Sequence, residues 1–301
     1  KDPGIDMTTL RNLEKAVIID ALRDKYSLPL LLRKLNLSKS SYYYQHKQAS
    51  APDKYEVLRL HIKALFEENS RRYGYRRIHG WLAREGIHIS EKIVRRIMSE
   101  CGLIVESKRK NKKYNSYKGE ISPAVPNVIK RNFHADAPNE KWLTDITEFA
   151  IPSGKVYLSP IVDCFDGMLA AWNISTVPDA NLVNGMLDDA VSILCKNEQP
   201  LVHTDRGCHY RWPGWISRMK NAGLQRSMSK KGCSPDNSAC EGLFGRLKNE
   251  MFYNRNWSGV SIHQFIEILN NYLIWYNETR IKTSLGNRSP LEYRRSLGLV
   301  A

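Results

Sequence analysis

The chain has 301 residues, more than one compact domain normally needs, and this length predicts two or three domains. It carries 46 Lys and Arg against 31 Asp and Glu, which gives a net charge of +15 and a pI near 9.5. No apolar run approaches the roughly eighteen residues that cross a bilayer, and the amino end has no apolar signal region, so we expect a cytoplasmic protein without a membrane partner.

Residues 1–50 show the apolar spacing of short helices. Apolar runs predict helices over 16–22 and 30–35, and after a break a third helix begins behind Ser38, whose side chain suits an N-cap. We expect a helix-turn-helix whose last helix offers Lys39 and the neighbouring tyrosines to a DNA groove. The alternative is a helical hairpin that packs on a partner subunit.

Residues 54–105 predict a second helix-turn-helix-like module. Apolar positions favour helices over 55–66 and 75–84, with a break at Gly74 between them. A third helix is expected directly after Ser90, which can act as its N-cap. An all-α segment therefore precedes the rest of the chain.

The stretch from Arg71 to Lys118 concentrates positive charge, with fourteen Lys or Arg against four Glu. Clustered cations bind nucleic-acid phosphates, and the aromatic side chains among them offer stacking surfaces for bases. We expect contacts to double-stranded DNA from Arg71, Arg72, Arg76, Arg77, Arg95 and Arg96. Residues 106–137 are predicted to be a basic linker, with further contacts from Lys108, Arg109, Lys110, Lys112 and Lys113. The alternative is that the charge run is only a solvated face.

Residues 138–301 alternate strand and helix patterns, which favours an α/β fold with a mixed sheet. The predicted strands lie near 141–149, 155–163, 168–175, 200–204 and 225–228. The predicted helices cover 181–194, 213–222, a segment around Glu241, and 262–277. Lys230 and Lys231 precede the Glu241 helix in a loop that we expect to be mobile and to contact DNA.

Three carboxylates in this part of the chain have distinctive surroundings. Asp145 lies in a strand-like segment, Asp205 ends a short apolar strand, and Glu241 follows Asp205 after thirty-five intervening residues. Ligands bind at the carboxyl ends of strands in α/β sheets. Carboxylates from two strands and a helix can hold two divalent metal ions, the usual device for in-line attack on a phosphodiester. The pattern therefore predicts an enzyme that cuts and joins DNA.

The helix with Glu241 carries further polar side chains. Asp236 or Asn237 is expected to cap it. At about 100° per residue, Asn237 and Lys248 fall on nearly the same face as Glu241, with Lys248 about 10 Å further along the axis. This face would present a metal ligand, an amide and a cation for DNA phosphate.

Four other acids are interpreted differently. Asp163 and Asp166 are predicted to be structural residues at a strand end and a hairpin turn, because Asp-Gly favours a tight turn. Glu148 and Glu250 are expected to be solvated.

The six cysteines include no C-x-x-C pair, which favours reduced thiols. An alternative is a zinc site among His203, Cys208, His209, Cys233 and Cys240. Their spacing matches no standard zinc pattern.

Several motifs carry a resemblance to a known family. WLTDITEF, HTDRGCHY, SMSKKGCSPDNSACEGLFGRLKNE and YNETRIKTSLGNRSPLEY lie between about residues 138 and 295, and RRYGYRRIHGWLAREGIHIS lies upstream. With these motifs the chain resembles the downstream-frame transposases of the insertion-sequence three family, which have a retroviral-integrase-like DDE core. One departure is Ser238, where many relatives have Ala.

The resemblance implies a ribonuclease H-like catalytic core preceded by all-α helix-turn-helix modules. It implies that Asp145 bridges two Mg²⁺ ions, that Asp205 and Glu241 each complete one, and that Lys248 contacts DNA beside the scissile phosphate. Mn²⁺ is the expected substitute for Mg²⁺. The implied reaction is metal-dependent cleavage at the element's terminal inverted repeats, followed by strand transfer into target DNA.

The resemblance also has implications for the oligomeric state and for the alternative functions. A protein that reaches two DNA ends is expected to act as a homodimer or higher oligomer. Relatives are often fused by frameshift to a small upstream helix-turn-helix protein, which would fit a chain that begins at Lys1. The alternative functions are a metal-dependent nuclease that does not join strands and a DNA-binding repressor whose acids are relics.

Overall fold

The computed structural model describes residues 10–50, 53–105, 124–230 and 234–299. The chain divides into two compact units, Lys1–Ala64 and Leu65–Ala301. Among the described residues, no helix combines the length and the apolar character needed to cross a bilayer.

The first unit contains the three helices predicted near the amino end and the first part of α4 (Glu56–Glu68). The three are α1 (Asn12–Leu22), α2 (Leu28–Lys34) and α3 (Lys39–Ser50). Their core consists of Ala16, Ile19, Leu31, Leu35, Leu37 and Tyr42. The predicted cap is confirmed, because the Ser41 amide donates to Ser38 Oγ at 3.1 Å. Lys39 is exposed at the first residue of α3.

Two further helices of the predicted second module, α5 (Tyr75–Arg84) and α6 (Glu91–Glu100), lie in the second unit. Their buried residues are Ile78, Leu82, Val94, Ile97 and Met98. Ser90 is the N-cap residue of α6, although its side chain accepts no capping hydrogen bond. Gly80 packs so closely on Asn287 that a Cβ would lie 2.5 Å from its amide, so this helix contacts the carboxyl-terminal part of the chain directly.

The second unit is built on a six-stranded mixed sheet in the order β2-β3-β1-β5-β6, with β4 paired to β3. The strands are β1 (Lys141–Thr144), β2 (Thr147–Ile151), β3 (Gly154–Asp163), β4 (Leu169–Ser175), β5 (Leu201–Thr204) and β6 (Gln225–Met228). β3 is antiparallel to β1, β2 and β4, whereas β5 is parallel to both β1 and β6. The predicted mixed α/β class is confirmed.

The prediction of one strand over 141–149 is wrong. Asp145 and Ile146 interrupt it, so that β1 pairs with the end of β3 and β2 pairs with its beginning. The physical reason is local, because the Ile146 amide donates to Asp145 Oδ1 at 2.8 Å. A side chain that binds a neighbouring backbone amide competes with the sheet's ladder.

Helices cover both faces of the sheet. They are α7 (Ala180–Ser192), α8 (Pro213–Asn221), α9 (Ser238–Leu247), α10 (Ile262–Glu278) and α11 (Pro290–Ser296). One apolar core joins the sheet to α7 and α8 through residues such as Trp142, Val183 and Trp215. The other joins it to α9 and α10 and contains Phe149, Leu243, Phe265 and Leu269. The sheet is therefore buried on both sides, as strands of an α/β layer architecture are.

A buried ion network closes the end of β3, where the sequence predicts structural acids. Arg294 of α11 donates through Nη2 to Asp163 Oδ2 at 2.8 Å and through Nε to Asp166 Oδ2 at 2.7 Å. The same carboxylates accept the backbone amides of Phe165 and Met168 in the turn to β4. The structural interpretation of Asp163 and Asp166 is confirmed.

We expect Arg294→Ala to lower the free energy of unfolding by about 3–5 kcal/mol, because it leaves two fully buried carboxylates without their cation. The matched control is Arg295→Ala, which removes an exposed arginine of the same helix and should change stability by less than about 0.5 kcal/mol. Urea unfolding measures both variants. Equal midpoints for the two would contradict a stabilising role for the network.

Candidate active site

Asp145 and Asp205 lie side by side at one edge of the sheet. β1 and β5 run parallel, and Thr144 is directly paired with Thr204. Asp145 directly follows the last residue of β1, and Asp205 directly follows the last residue of β5. The strand register alone therefore places the two carboxylates next to each other. The edge is the carboxyl end of both strands, where ligands bind in α/β sheets.

Local hydrogen bonds orient both carboxylates. Besides the Ile146 amide, Asp145 accepts the side-chain amide of Asn237 at its Oδ2, at 2.8 Å. Asp205 Oδ1 accepts the Gly207 amide, also at 2.8 Å. A Cβ on Gly207 would lie 2.8 Å from that same oxygen, so a larger residue here would displace the Asp205 carboxylate. The side chains are therefore oriented by the backbone and by one amide.

The electrostatics of the pair favour a bound cation. Burial, and next the charge of Asp205, raise the pKa of Asp145 to about 8, and Glu241 adds to this effect. Burial also raises the pKa of Asp205. Two carboxylates that are partly removed from water and close to each other disfavour double ionisation unless a positive charge joins them.

Glu241 lies in the first turn of α9 and is exposed. Its charge acts on Asp145, but within the described ranges no three His, Cys, Asp or Glu side chains are grouped closely enough to hold a metal ion. The structure thus brings together the two aspartates and places Glu241 near them on the adjoining helix.

Asn237 has a different role from the predicted cap. It is the N-cap residue of α9, yet its side chain makes no capping bond and donates to Asp145 instead. Its Oδ1 atom is buried without a hydrogen-bond partner in the described part of the chain. Asp236 is buried too, and its carboxylate accepts from Asn127, Arg131 and the Lys230 amide. The predicted position of Asn237 as N-cap residue is confirmed, but neither side chain makes a capping bond, because both bind longer-range partners.

His203 is one of the residues of the alternative zinc site, and its ring nitrogens contact other protein groups. Its ring nitrogens contact Ser227 Oγ at 2.8 Å and the Asp236 carbonyl at 3.0 Å. Burial lowers the pKa of this histidine. The ring therefore connects β5 and β6 to the residue that precedes Asn237.

Comparison with known proteins identifies the family. An HTH-like domain family matches residues 52–113, and integrase core domain families match residues 135–234 and 241–297. The probable transposase for insertion sequence element IS1353 of Shigella flexneri is 55% identical over all 301 residues, and the chain spans 58% of that protein's length.

Two Escherichia coli K12 proteins are similar over nearly their whole length. The putative transposase InsK for insertion sequence element IS150 is 40% identical over 92% of the chain and 96% of the relative. The transposase InsF for insertion sequence IS3A is 27% identical over 93% of the chain and 98% of the relative. The chain belongs to the insertion-sequence three family of transposases. The chain has an integrase-type DDE core, in which the first core match contains both aspartates and the second begins at Glu241.

The transposase's predicted DNA-contact residues fall into three groups. Lys108, Arg109, Lys110, Lys112, Lys113 and Lys231 lie outside the described residues. Lys39, Arg71, Arg76, Arg95, Arg96 and Lys230 are exposed. Arg72, Arg77 and Lys248 are partly buried, and Asn237 is buried.

The exposed arginines of α5 and α6 form a small surface that combines cations with an aromatic ring. Arg76 and Arg95 both lie over the ring of Tyr75, at 5.6 and 5.5 Å from its centroid. Arg96 is 3.7 Å from Glu100 on the same helix. Cations next to an aromatic face suit a nucleic-acid surface, whereas Arg77 already binds Glu250 inside the protein.

The turn after α9 determines the directions of the Lys248 and Glu250 side chains. α9 ends at Leu247 and continues as one π-helical turn, Lys248–Phe252, which changes the direction of the following side chains. The Lys248 ammonium lies 5.2 Å from the centroid of the Phe149 ring. Glu250 points inward, so the prediction that it is solvated is wrong, whereas Glu148 is exposed and pairs with Lys155 as predicted.

Glu250 is the centre of a network that sequence patterns did not reveal. Its carboxylate accepts from Arg280 at 2.6 and 2.8 Å, from Tyr272 at 2.8 Å and from Arg77 at 3.1 Å. Burial by itself would raise the pKa of Glu250, but the bonds and charges of Arg280, Arg77 and Tyr272 outweigh it and lower this pKa to about 2. The only sequence signal was the tail motif that contains Arg280.

We expect Glu250→Gln to remove the part of the free energy of unfolding that depends on the ionised Glu250 carboxylate. A carboxylate with a lowered pKa stabilises the fold above its ordinary pKa of 4.5, and this contribution is lost as the pH falls towards 2. The variant should be about 3 kcal/mol less stable than wild type at neutral pH, and the difference should shrink below pH 4.5.

Urea unfolding at several pH values measures this difference, with the exposed Glu267→Gln as control. A wild-type-to-variant difference that stays constant from pH 7 to about pH 2.5 would contradict the assigned pKa shift.

Proposed function

We propose that this transposase cleaves DNA at the ends of its insertion sequence and transfers the resulting strands into target DNA. The observation that carries the proposal is the pair of aspartates at the exits of two parallel strands in an integrase-type core. Because the chain spans only 58% of one relative, the activity of the whole protein is part of the proposal. No observation favours the nuclease or the repressor over it.

Mg²⁺ is the proposed cofactor, with two ions per site and Mn²⁺ as substitute. The donors fit this choice, because Asp145, Asp205 and Glu241 supply the hard oxygen ligands that Mg²⁺ prefers. The raised pKa values of the aspartates and the unpartnered Oδ1 of Asn237 also fit a site completed by a cation. When bound, the ions would act as Lewis acids towards water and phosphate.

The protein's own residues have distinct proposed roles. Asp145, on which the charges of Asp205 and Glu241 both act, is assigned to both ions, with Asp205 and Glu241 completing one each. Asn237 orients Asp145 through its 2.8 Å hydrogen bond. Lys248, two turns beyond Glu241, neutralises a phosphate next to the scissile bond, as a charge-assisted contact can.

The DNA partners are proposed from charge and surface chemistry. A net charge of +15 supplies sequence-independent affinity through counterion release. Lys39 in the first unit and Arg76, Arg95 and Arg96 in the second are exposed and suit phosphate contacts. The proposed substrates are the terminal inverted repeats and the target duplex. A homodimer or higher oligomer on DNA would act on two ends together, in the cytoplasm.

We expect Glu241→Gln to reduce Mg²⁺-dependent cleavage and strand transfer by roughly 1,000-fold or more, because the amide keeps the shape but loses the ligand's charge. Affinity for duplex DNA should not fall. The assay follows a labelled element end with the purified chain. Glu148→Gln, the same change at an exposed acid of β2, should leave both reactions at wild-type rates.

Two outcomes would contradict the assignment. Retained strand transfer in Glu241→Gln would exclude this glutamate as a ligand. Cleavage without any joined product in wild type would instead support the nuclease alternative.

A further inference from the structure

A cavity of about 320 Å³ lies beside the π-helical turn, away from the aspartates. Its walls come from the turn after α4, the residues that follow α6, the π-helical turn and the segment after it. The charged and polar lining residues include Arg71, Arg72, Asn249, Arg255 and one carboxylate, Glu250. All belong to the second unit.

Two arginines line this cavity close enough for the charge of Arg255 to act on Arg72. Arg72 lies over the rings of Trp275 and Tyr272, at 4.7 and 5.2 Å from their centroids, and its buried Nε has no hydrogen-bond partner among the described residues. Burial, and next the charge of Arg255, lower the pKa of Arg72. Arg255 is exposed and donates only a long 3.5 Å bond to the Glu250 carbonyl.

The acids near the cavity are already paired. Glu250 binds Arg280 and Arg77, and Glu67 binds Arg71 at 2.8 Å. In the part of the chain that the structure describes, Arg72 and Arg255 therefore have no carboxylate partner. A pair of like charges with one unsatisfied buried donor is stabilised by an anion.

Two further features suit an anion ligand. Asn249 also lines the cavity, and its side-chain amide is a hydrogen-bond donor that an anion can accept from. Ser70 and Arg71 have consecutive left-handed backbones, with φ of 53° and 60°. Such strain in residues other than glycine costs free energy and concentrates at functional sites.

We propose that this cavity binds a backbone phosphate of the DNA substrate, with Arg72, Arg255 and Asn249 as donors. Arginine matches phosphate geometry through paired N–H donors, which explains the use of two guanidinium groups here. The inference rests on the proposed function for the identity of the substrate. Asn249 follows Lys248 directly, so the cavity would extend the phosphate contacts of the catalytic helix towards the helix-turn-helix-like module.

The test compares full-length wild type with Arg255→Ala, because this side chain is exposed and its removal should not unfold the protein. Binding to a labelled duplex of arbitrary sequence is measured by fluorescence anisotropy at several salt concentrations, with EDTA present. We expect about tenfold weaker binding and a log–log salt slope reduced by about 1. Arg255→Lys should retain the wild-type slope, because it keeps the charge.

Arg295→Ala is the control, since it removes an exposed arginine that does not line the cavity. If Arg255→Ala and Arg295→Ala give the same affinity and slope, the proposal is overturned. Thermal melting with inorganic phosphate against chloride forms the second arm. Arg255-dependent stabilisation by phosphate without any effect on DNA binding would show a site for a free anion and also overturn the proposal.

The anisotropy assay needs neither metal nor an element end, so it tests the phosphate site separately from the proposed catalytic function. Its result does not depend on whether Glu241→Gln loses strand transfer. Conversely, a normal slope in Arg255→Ala would leave the catalytic assignment standing.

Discussion

The parallel pairing of β1 with β5 places two carboxylates next to each other at one edge of a buried sheet, and much of the second unit serves to keep them there. With Thr144 paired to Thr204, neither aspartate can leave the edge without breaking the register. Burial raises the pKa values of both aspartates, and the charge of Asp205 raises that of Asp145 further, which is a cost to the folded state. The Ile146 and Gly207 amides and Asn237 offset part of this cost, and a divalent cation would offset the rest.

The same unit connects this edge to the helix-turn-helix-like helices through Glu250. The π-helical turn directs Glu250 into the protein, where it binds Arg77 of α5 and Arg280 after α10. The helix that carries Glu241 and the helix that carries Arg76 are thereby connected through buried charged hydrogen bonds, which are among the strongest that proteins make. DNA bound at the arginine surface would then have a defined position relative to the aspartates.

Sequence patterns predicted the parts of this arrangement that depend on local chemistry. Asp205 follows a short apolar strand, Asp163 and Asp166 flank a turn, and Ser38 has the side chain of a cap, and each prediction needed only neighbouring residues. The bond from Asn237 to Asp145 and the inward direction of Glu250 depend on partners 92 and 173 residues away. Hydrophobic periodicity contains no information about such partners, and a π-helical turn breaks the 100° rule used to place side chains on a helix face.

The central claim is that Asp145, Asp205 and Glu241 together hold the catalytic metal ions. Anomalous diffraction from crystals of the full chain with an element-end duplex and Mn²⁺ tests it most directly. We expect two manganese peaks, with Asp145 contacting both ions and Asp205 and Glu241 contacting one each. Manganese bound elsewhere, or peaks at the aspartates with Glu241 still pointing to solvent, would contradict the claim.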